Sequence, residues 1–189
     1  MGQSISAIIV TLLLCGSAAA QNSKATAKPD FSGTWLLDTK KSNTGGLTTR
    51  PDLPITISHQ EPEFKMVISS EANGQIKKHE FTYFTDGRGE ENEATSIITA
   101  NPAAFKPEDL KNKVTKSKTK WRGDKIVTRS RYTLNVPGAS LIEFEQVDEW
   151  KLSTDGKILT QTSRVNLQSS NSAFFPSNAP DKKRVFNRQ

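Results

Sequence analysis

Three tight-turn dipeptides, Asn73-Gly74, Gly123-Asp124 and Asp155-Gly156, each sit between two runs of alternating apolar and polar residues, and they constrain the fold more than anything else in the chain. Asn, Asp and Gly accept the positive φ that two-residue hairpin turns need, so each dipeptide sets a pairing register as well as a reversal. About Asn73-Gly74, Glu71 faces Ile76, Ile68 faces His79, Met66 faces Phe81 and Phe64 faces Tyr83. One side of that hairpin collects Phe64, Met66, Ile68, His79, Phe81 and Tyr83. The other collects Lys65, Ser69, Glu71, Lys78, Glu80 and Thr82. A slip of one residue exchanges the two sides, so turn chemistry and hydrophobic pattern select the same pairing.

The second dipeptide opposes Trp121 to Ile126. It aligns an inner row of Thr115, Ser117, Thr119 and Trp121 with Ile126, Thr128, Ser130, Tyr132 and Leu134, and an outer row of Lys116, Lys118, Lys120, Arg129 and Arg131. The third pairs Leu152 with Leu159 and Trp150 with Gln161, extending an inner row of Ile142, Phe144, Gln146, Asp148 and Trp150. These inner rows mix apolar and small polar residues, which suits either a partly hydrated cavity or a core whose polar members satisfy one another. Short β-rich runs continue from Phe31 onward with no long helical periodicity. The expectation is one all-β domain over residues 31–189, an up-and-down antiparallel β-barrel of about 8–10 strands, with a β-sandwich as the other arrangement the pattern admits. Asn101 to Asn112, with Pro102 and Pro107, is expected to hold a single helical turn. Gln168 to Asp181 reads as a second long connection carrying Phe174-Phe175-Pro176.

Ahead of this domain, residues 5–14 form an apolar run of secretory length, and Ala18-Ala19-Ala20 supplies small residues for cleavage before Gln21. The reading is a signal peptide over 1–20 and a flexible leader over 21–30, hence a secreted or periplasmic protein with no transmembrane segment. Met1-Gly2 with Ser6 fits the loose myristoylation pattern, and Cys15 invites a lipoprotein reading. The apolar run from Ile5 and the unsuitable Leu14 before the cysteine favour export instead. Cys15, the single cysteine, then leaves with the signal, so neither a disulfide nor a thiol nucleophile is expected.

The chain carries 26 Lys and Arg against 20 Asp and Glu, and the excess is local. Residues 106–131 hold ten Lys and Arg against Glu108, Asp109 and Asp124. On the outer hairpin face Lys116 opposes Arg131 and Lys118 opposes Arg129, a like-charge arrangement that costs stability unless something offsets it. Glu143 and Glu145 on the next run can do so from within. An anionic partner, whether lipid headgroups, polysaccharide or an acidic protein, is the alternative. That face lacks aromatic stacking residues, so nucleic acid is not an expected partner. Arg122-Gly123-Asp124 spells an adhesion tripeptide that its hairpin turn already explains.

Catalytic machinery is sparse. His59 and His79 are the two imidazoles, no nucleophile elbow occurs, and no His, Cys or carboxylate cluster has metal-site spacing. His59, at a strand end, reads as an exposed turn histidine. Asp86, Glu90, Glu91 and Glu93 lack the spacing of a calcium loop and read as a solvated acidic turn. Asp148 and Glu149 are strand neighbours and point to opposite faces. No enzymatic activity, cofactor or metal is expected.

Gly33-Thr34-Trp35, within Phe31-Ser32-Gly33-Thr34-Trp35, resembles the Gly-x-Trp signature on the first strand of lipocalins. Arg188, in Val185-Phe186-Asn187-Arg188, resembles the arginine that packs over that tryptophan from near the last strand. The chain also resembles small exported bacterial proteins that open on the same five residues. The resemblance implies a barrel whose first and last strands meet, with Trp35 plugging the closed end, Gly33 allowing close approach and Arg188 stacked on the indole. It departs from lipocalins in lacking a disulfide and a long C-terminal helix pattern. On such a fold the expected function is carriage, by a monomer, of a small hydrophobic or amphipathic ligand in the barrel interior. The contacts would be Phe81, Tyr83, Tyr132, Phe144 and Trp150, with His79 and Gln146 as polar anchors. The alternative is a solidly packed module acting through Lys116, Lys118, Arg129 and Arg131.

Overall fold

Each turn dipeptide reverses the chain into the hairpin its chemistry demands. Gly74, Gly123 and Gly156 all take positive φ, at 74°, 64° and 70°. Around them the computed structural model describes residues 27–43, 53–72, 74–93, 114–134, 142–167 and 181–189. Within these lie ten strands: β1 (Gly33–Leu37), β2 (Ile55–Gln60), β3 (Glu63–Ala72), β4 (Gln75–Phe84), β5 (Glu90–Glu93), β6 (Val114–Arg122), β7 (Lys125–Leu134), β8 (Ile142–Leu152), β9 (Ile158–Leu167) and β10 (Lys182–Arg188). Residues 1–20, most of the leader, the proline segment Asn101 to Asn112 and Phe174-Phe175 fall outside the described residues. Among the described residues no helix is long and apolar enough to cross a membrane.

The registers agree with the turn-based reading residue for residue. Ile68 partners His79, Met66 partners Phe81 and Phe64 partners Tyr83 across β3 and β4. Trp121 partners Ile126, and Trp150 partners Gln161. All ten strands are antiparallel members of one sheet in the order β4-β3-β2-β1-β10-β9-β8-β7-β6-β5, which excludes the two-layered sandwich. The first and last strands meet, with Trp35 opposite Arg188 and Leu37 opposite Phe186. The result is a meander rolled into a nearly closed barrel.

The remaining seam runs between β4 and β5, where no strand ladder forms. Side chains bridge it instead. Asn92 accepts from the Thr82 N–H at 2.8 Å and donates to the Thr82 carbonyl at 3.0 Å, occupying the two backbone groups that a neighbouring strand would otherwise take. Nearby, the Phe84 N–H donates to Glu90 at 3.3 Å. A backbone bridge from Asp86 to Lys120 carries the closure past the turn.

One end of the barrel is filled by rings. Phe31 meets His59 and Phe64 edge-on at 5.8 and 6.0 Å, and Trp150 packs between Phe64 and Phe186 at 6.4 and 6.3 Å. Trp35 is wholly buried and donates its indole N–H to the Phe31 carbonyl. Gly33 takes a φ of +140°, and a Cβ there would lie 3.3 Å from the Arg188 guanidinium, so the close approach implied by the resemblance is present. Lys28, just ahead of the barrel, lies 4.9 Å over the Trp121 ring. His59 corrects one expectation: its side chain is buried in this plug rather than exposed in a turn. Its Nδ1 accepts from the Phe31 N–H, which leaves Nε2 to carry the proton and donate to Glu61 at 3.1 Å.

Candidate functional site

Above the plug the inward rows of the two halves of the sheet differ, one apolar and the other mixed. On β1 to β4 those rows supply Leu37, Ile55, Ile57, Met66 and Phe81, all buried, with Ile68 and Tyr83 partly so. On β5 to β10 the inward rows are mixed: Glu90, Ser117, Thr119, Thr128, Ser130, Gln146, Asp148, Gln161 and Ser163 are buried between Tyr132 and Phe144 towards one end and Ile126, Trp150, Leu159 and Phe186 at the plug. Polar groups taken from water must find partners or destabilise the fold, so the bonds within this polar band are informative.

They form two networks. In the first, Ser117 and Thr119 donate to the same Glu90 oxygen at 2.8 and 2.7 Å. Thr119 spends its one proton there, so its 2.9 Å contact with Thr128 is a bond donated by Thr128. In the second, Gln146 and Gln161 donate to the two oxygens of Asp148 at 2.8 and 3.1 Å, and Arg184 donates to Gln161 at 2.9 Å. Arg184 therefore reaches Asp148 through an amide relay.

Burial dominates the titration of this band. It raises the Asp148 carboxyl above its ordinary value, against hydrogen bonds from Gln146, Ser163 and Gln161 and the charge of Arg184. Tyr132 is pushed up to about 12 by burial and by Asp148. The Tyr83 hydroxyl is raised as well, through burial first and then the proximity of Asp148, Tyr132 and Glu90. Arg184 and Lys182 are lowered, again mainly by burial.

Three polar atoms along β8 and β10 are fully buried without a hydrogen-bond partner among the described residues: Gln146 Oε1, Lys182 Nζ and Arg184 Nε. Lys182 partners Ser163 and Arg184 partners Gln161 across the β9–β10 ladder, so both cations sit on the inward row that also holds Phe186.

The residues read from the sequence as ligand contacts fall into three places. Phe81 and Tyr83 are stacked at 6.3 Å on the apolar side, with His79 half-buried further along β4. Tyr132 and Phe144 are stacked at 5.0 Å on the polar side, next to Gln146. Trp150 belongs to the ring plug. Sequence reasoning overlooked Lys182, Arg184 and Ser163, and it took Glu90 for a solvated residue, whereas Glu90 is buried in the first network. β5 has only four residues, too few to display alternation, and the inward charges of β10 invert the usual pattern.

The outer basic face balances itself in part. Glu145 lies opposite Arg131 and pairs with Arg129 at 2.9 Å, Lys116 pairs with Glu91 at 3.3 Å, and Glu143 lies opposite Thr133. Among the described residues no group of three or more His, Cys, Asp or Glu gathers as a metal site. Neither known protein-family models nor curated proteins match this chain.

Proposed function

We propose that this protein is an exported carrier that holds a small amphipathic molecule inside a lipocalin-like barrel and does not transform it. The observation behind the reading is the band of buried polar side chains on β5 to β10, from Glu90 to Ser163, facing an interior that β1 to β4 line with apolar residues. A solidly packed barrel has no use for buried polar atoms without partners, since each one destabilises the fold by about 1–3 kcal/mol. A ligand with one apolar and one polar side recovers that loss on binding. Ion pairs to Glu91 and Glu145 offset the charge of Lys116 and Arg129 within the ladder, which weakens the case for an anionic surface partner.

Native mass spectrometry of the protein taken directly from its source tests this reading. Carriage predicts a reproducible small-molecule adduct that disappears on unfolding. Consistently empty protein that binds anionic vesicles in a salt-dependent way would replace the carrier with a surface module.

A further inference from the structure

The unpartnered donors of β10 carry the carrier reading one step further, to the chemistry of the ligand. Lys182 and Arg184 alternate along one strand and share its inward row, with Ser163 and Gln161 beside them on β9. Lys182 Nζ and Arg184 Nε are both shut off from solvent and make no hydrogen bond among the described residues. Arg184 gives Nη1 to Gln161 and keeps Nε without a hydrogen bond among the described residues. The nearest carboxylate, Asp148, has both oxygens engaged by Gln146 and Gln161. Glu90 lies five strands round the sheet on β5 and is engaged by Ser117 and Thr119. Two neighbouring cationic side chains, each with a buried donor atom that has no acceptor among the described residues, describe a site for an oxyanion. Across the interior Ile55, Ile57, Met66 and Phe81 belong to the apolar core, the part of the barrel against which a hydrocarbon chain would pack.

We infer that the barrel binds an amphipathic carboxylate, its head held by Lys182 and Arg184 and its chain lying along β1 to β4. This rests on the carrier reading. Gln146 Oε1, the unpartnered acceptor on β8, adds a preference for a ligand that also carries a hydroxyl.

The test uses N-phenyl-1-naphthylamine, a neutral fluorescent reporter of apolar interiors, displaced by dodecanoate or by its methyl ester. The two competitors share a chain and differ in head charge. Dodecanoate is expected to displace the reporter at about tenfold lower concentration than the ester, the effect of one or two charge-assisted hydrogen bonds. Lys182→Met and Arg184→Met are expected to weaken dodecanoate severalfold and leave the ester unchanged. If the reporter binds but acid and ester compete equally, the head-group site is wrong and carriage stands. If reporter, acid and ester all fail to bind, carriage fails and the head-group site fails with it. The acid-to-ester comparison needs only the native protein, so a variant that does not fold leaves the test intact.

Discussion

The guanidinium of Arg188 lies 4.5 Å over the ring of Trp35, and the same two residues are Cα partners where the last strand meets the first. Arg188 also donates from Nε to the Gly156 carbonyl at 2.7 Å, tying the β8–β9 turn to the same end of the barrel. A motif of five residues near one end of the chain and a single arginine near the other thereby close the cylinder. The cation–π contact is exposed on its outer side and contributes about 0.5–1 kcal/mol.

Trp35 and Arg188 accordingly differ in weight. Trp35→Ala empties a wholly buried ring site and is expected to lower unfolding free energy by about 3–5 kcal/mol. Arg188→Met removes the cation and its bond to Gly156 but keeps an apolar stem, with an expected loss of about 1–2 kcal/mol. Urea unfolding followed by circular dichroism measures both, and equal losses would refute the plug.

The seam between β4 and β5 is the place where the cylinder opens most easily, because side chains stand in for a ladder there. Asn92→Asp keeps an acceptor for the Thr82 N–H but can no longer donate to the Thr82 carbonyl. An expected loss of about 1–2 kcal/mol should come with faster amide exchange at Thr82 and Phe84, while the β7–β8 amides keep their protection. Unchanged exchange at Thr82 would mean that the seam is held elsewhere.

Asp148 makes stability depend on pH with a definite sign. Burial raises its carboxyl above 3.8 in the folded protein, so the folded state retains a proton where the unfolded chain has released it. Stability therefore falls as pH rises from about the ordinary carboxylate value through the folded one, and stays lower beyond it. Asp148→Asn removes that loss. Its carbonyl can still accept from Gln161, and its amide can donate to Gln146 once that side chain turns its unpartnered Oε1 inward. The variant is expected to melt higher than the native protein near neutral pH and no higher in strong acid. A lower melting temperature near neutral pH would show that the charged carboxylate contributes more through its two glutamine bonds than burial takes away.

Hairpins were legible in the sequence because they are local: a turn dipeptide and a two-residue alternation leave one register for Phe64, Met66, Phe81 and Tyr83. Barrel closure was legible only through the resemblance, since Trp35 and Arg188 are distant in sequence. The candidate site was half legible. Phe81, Tyr83, Tyr132, Phe144 and Gln146 follow from strand parity once a hairpin is known. Glu90, Lys182 and Arg184 do not, because charged residues at inward positions look like solvent-facing ones until the sheet is rolled. His59 escaped for a related reason: a residue at a strand end takes its environment from whatever packs over that end, here Phe31 from outside its own hairpin.

The account stands on a ligand lying inside the barrel, between its apolar rows and the buried polar band. Isotope-filtered NMR on the labelled protein with bound dodecanoate addresses that most directly. The account predicts nuclear Overhauser contacts from the acyl chain to the Met66 methyl and the Phe81 ring, with shift changes at Lys182 and Arg184. Contacts or shift changes confined to the outward Lys118, Lys120 and Arg131 would contradict it.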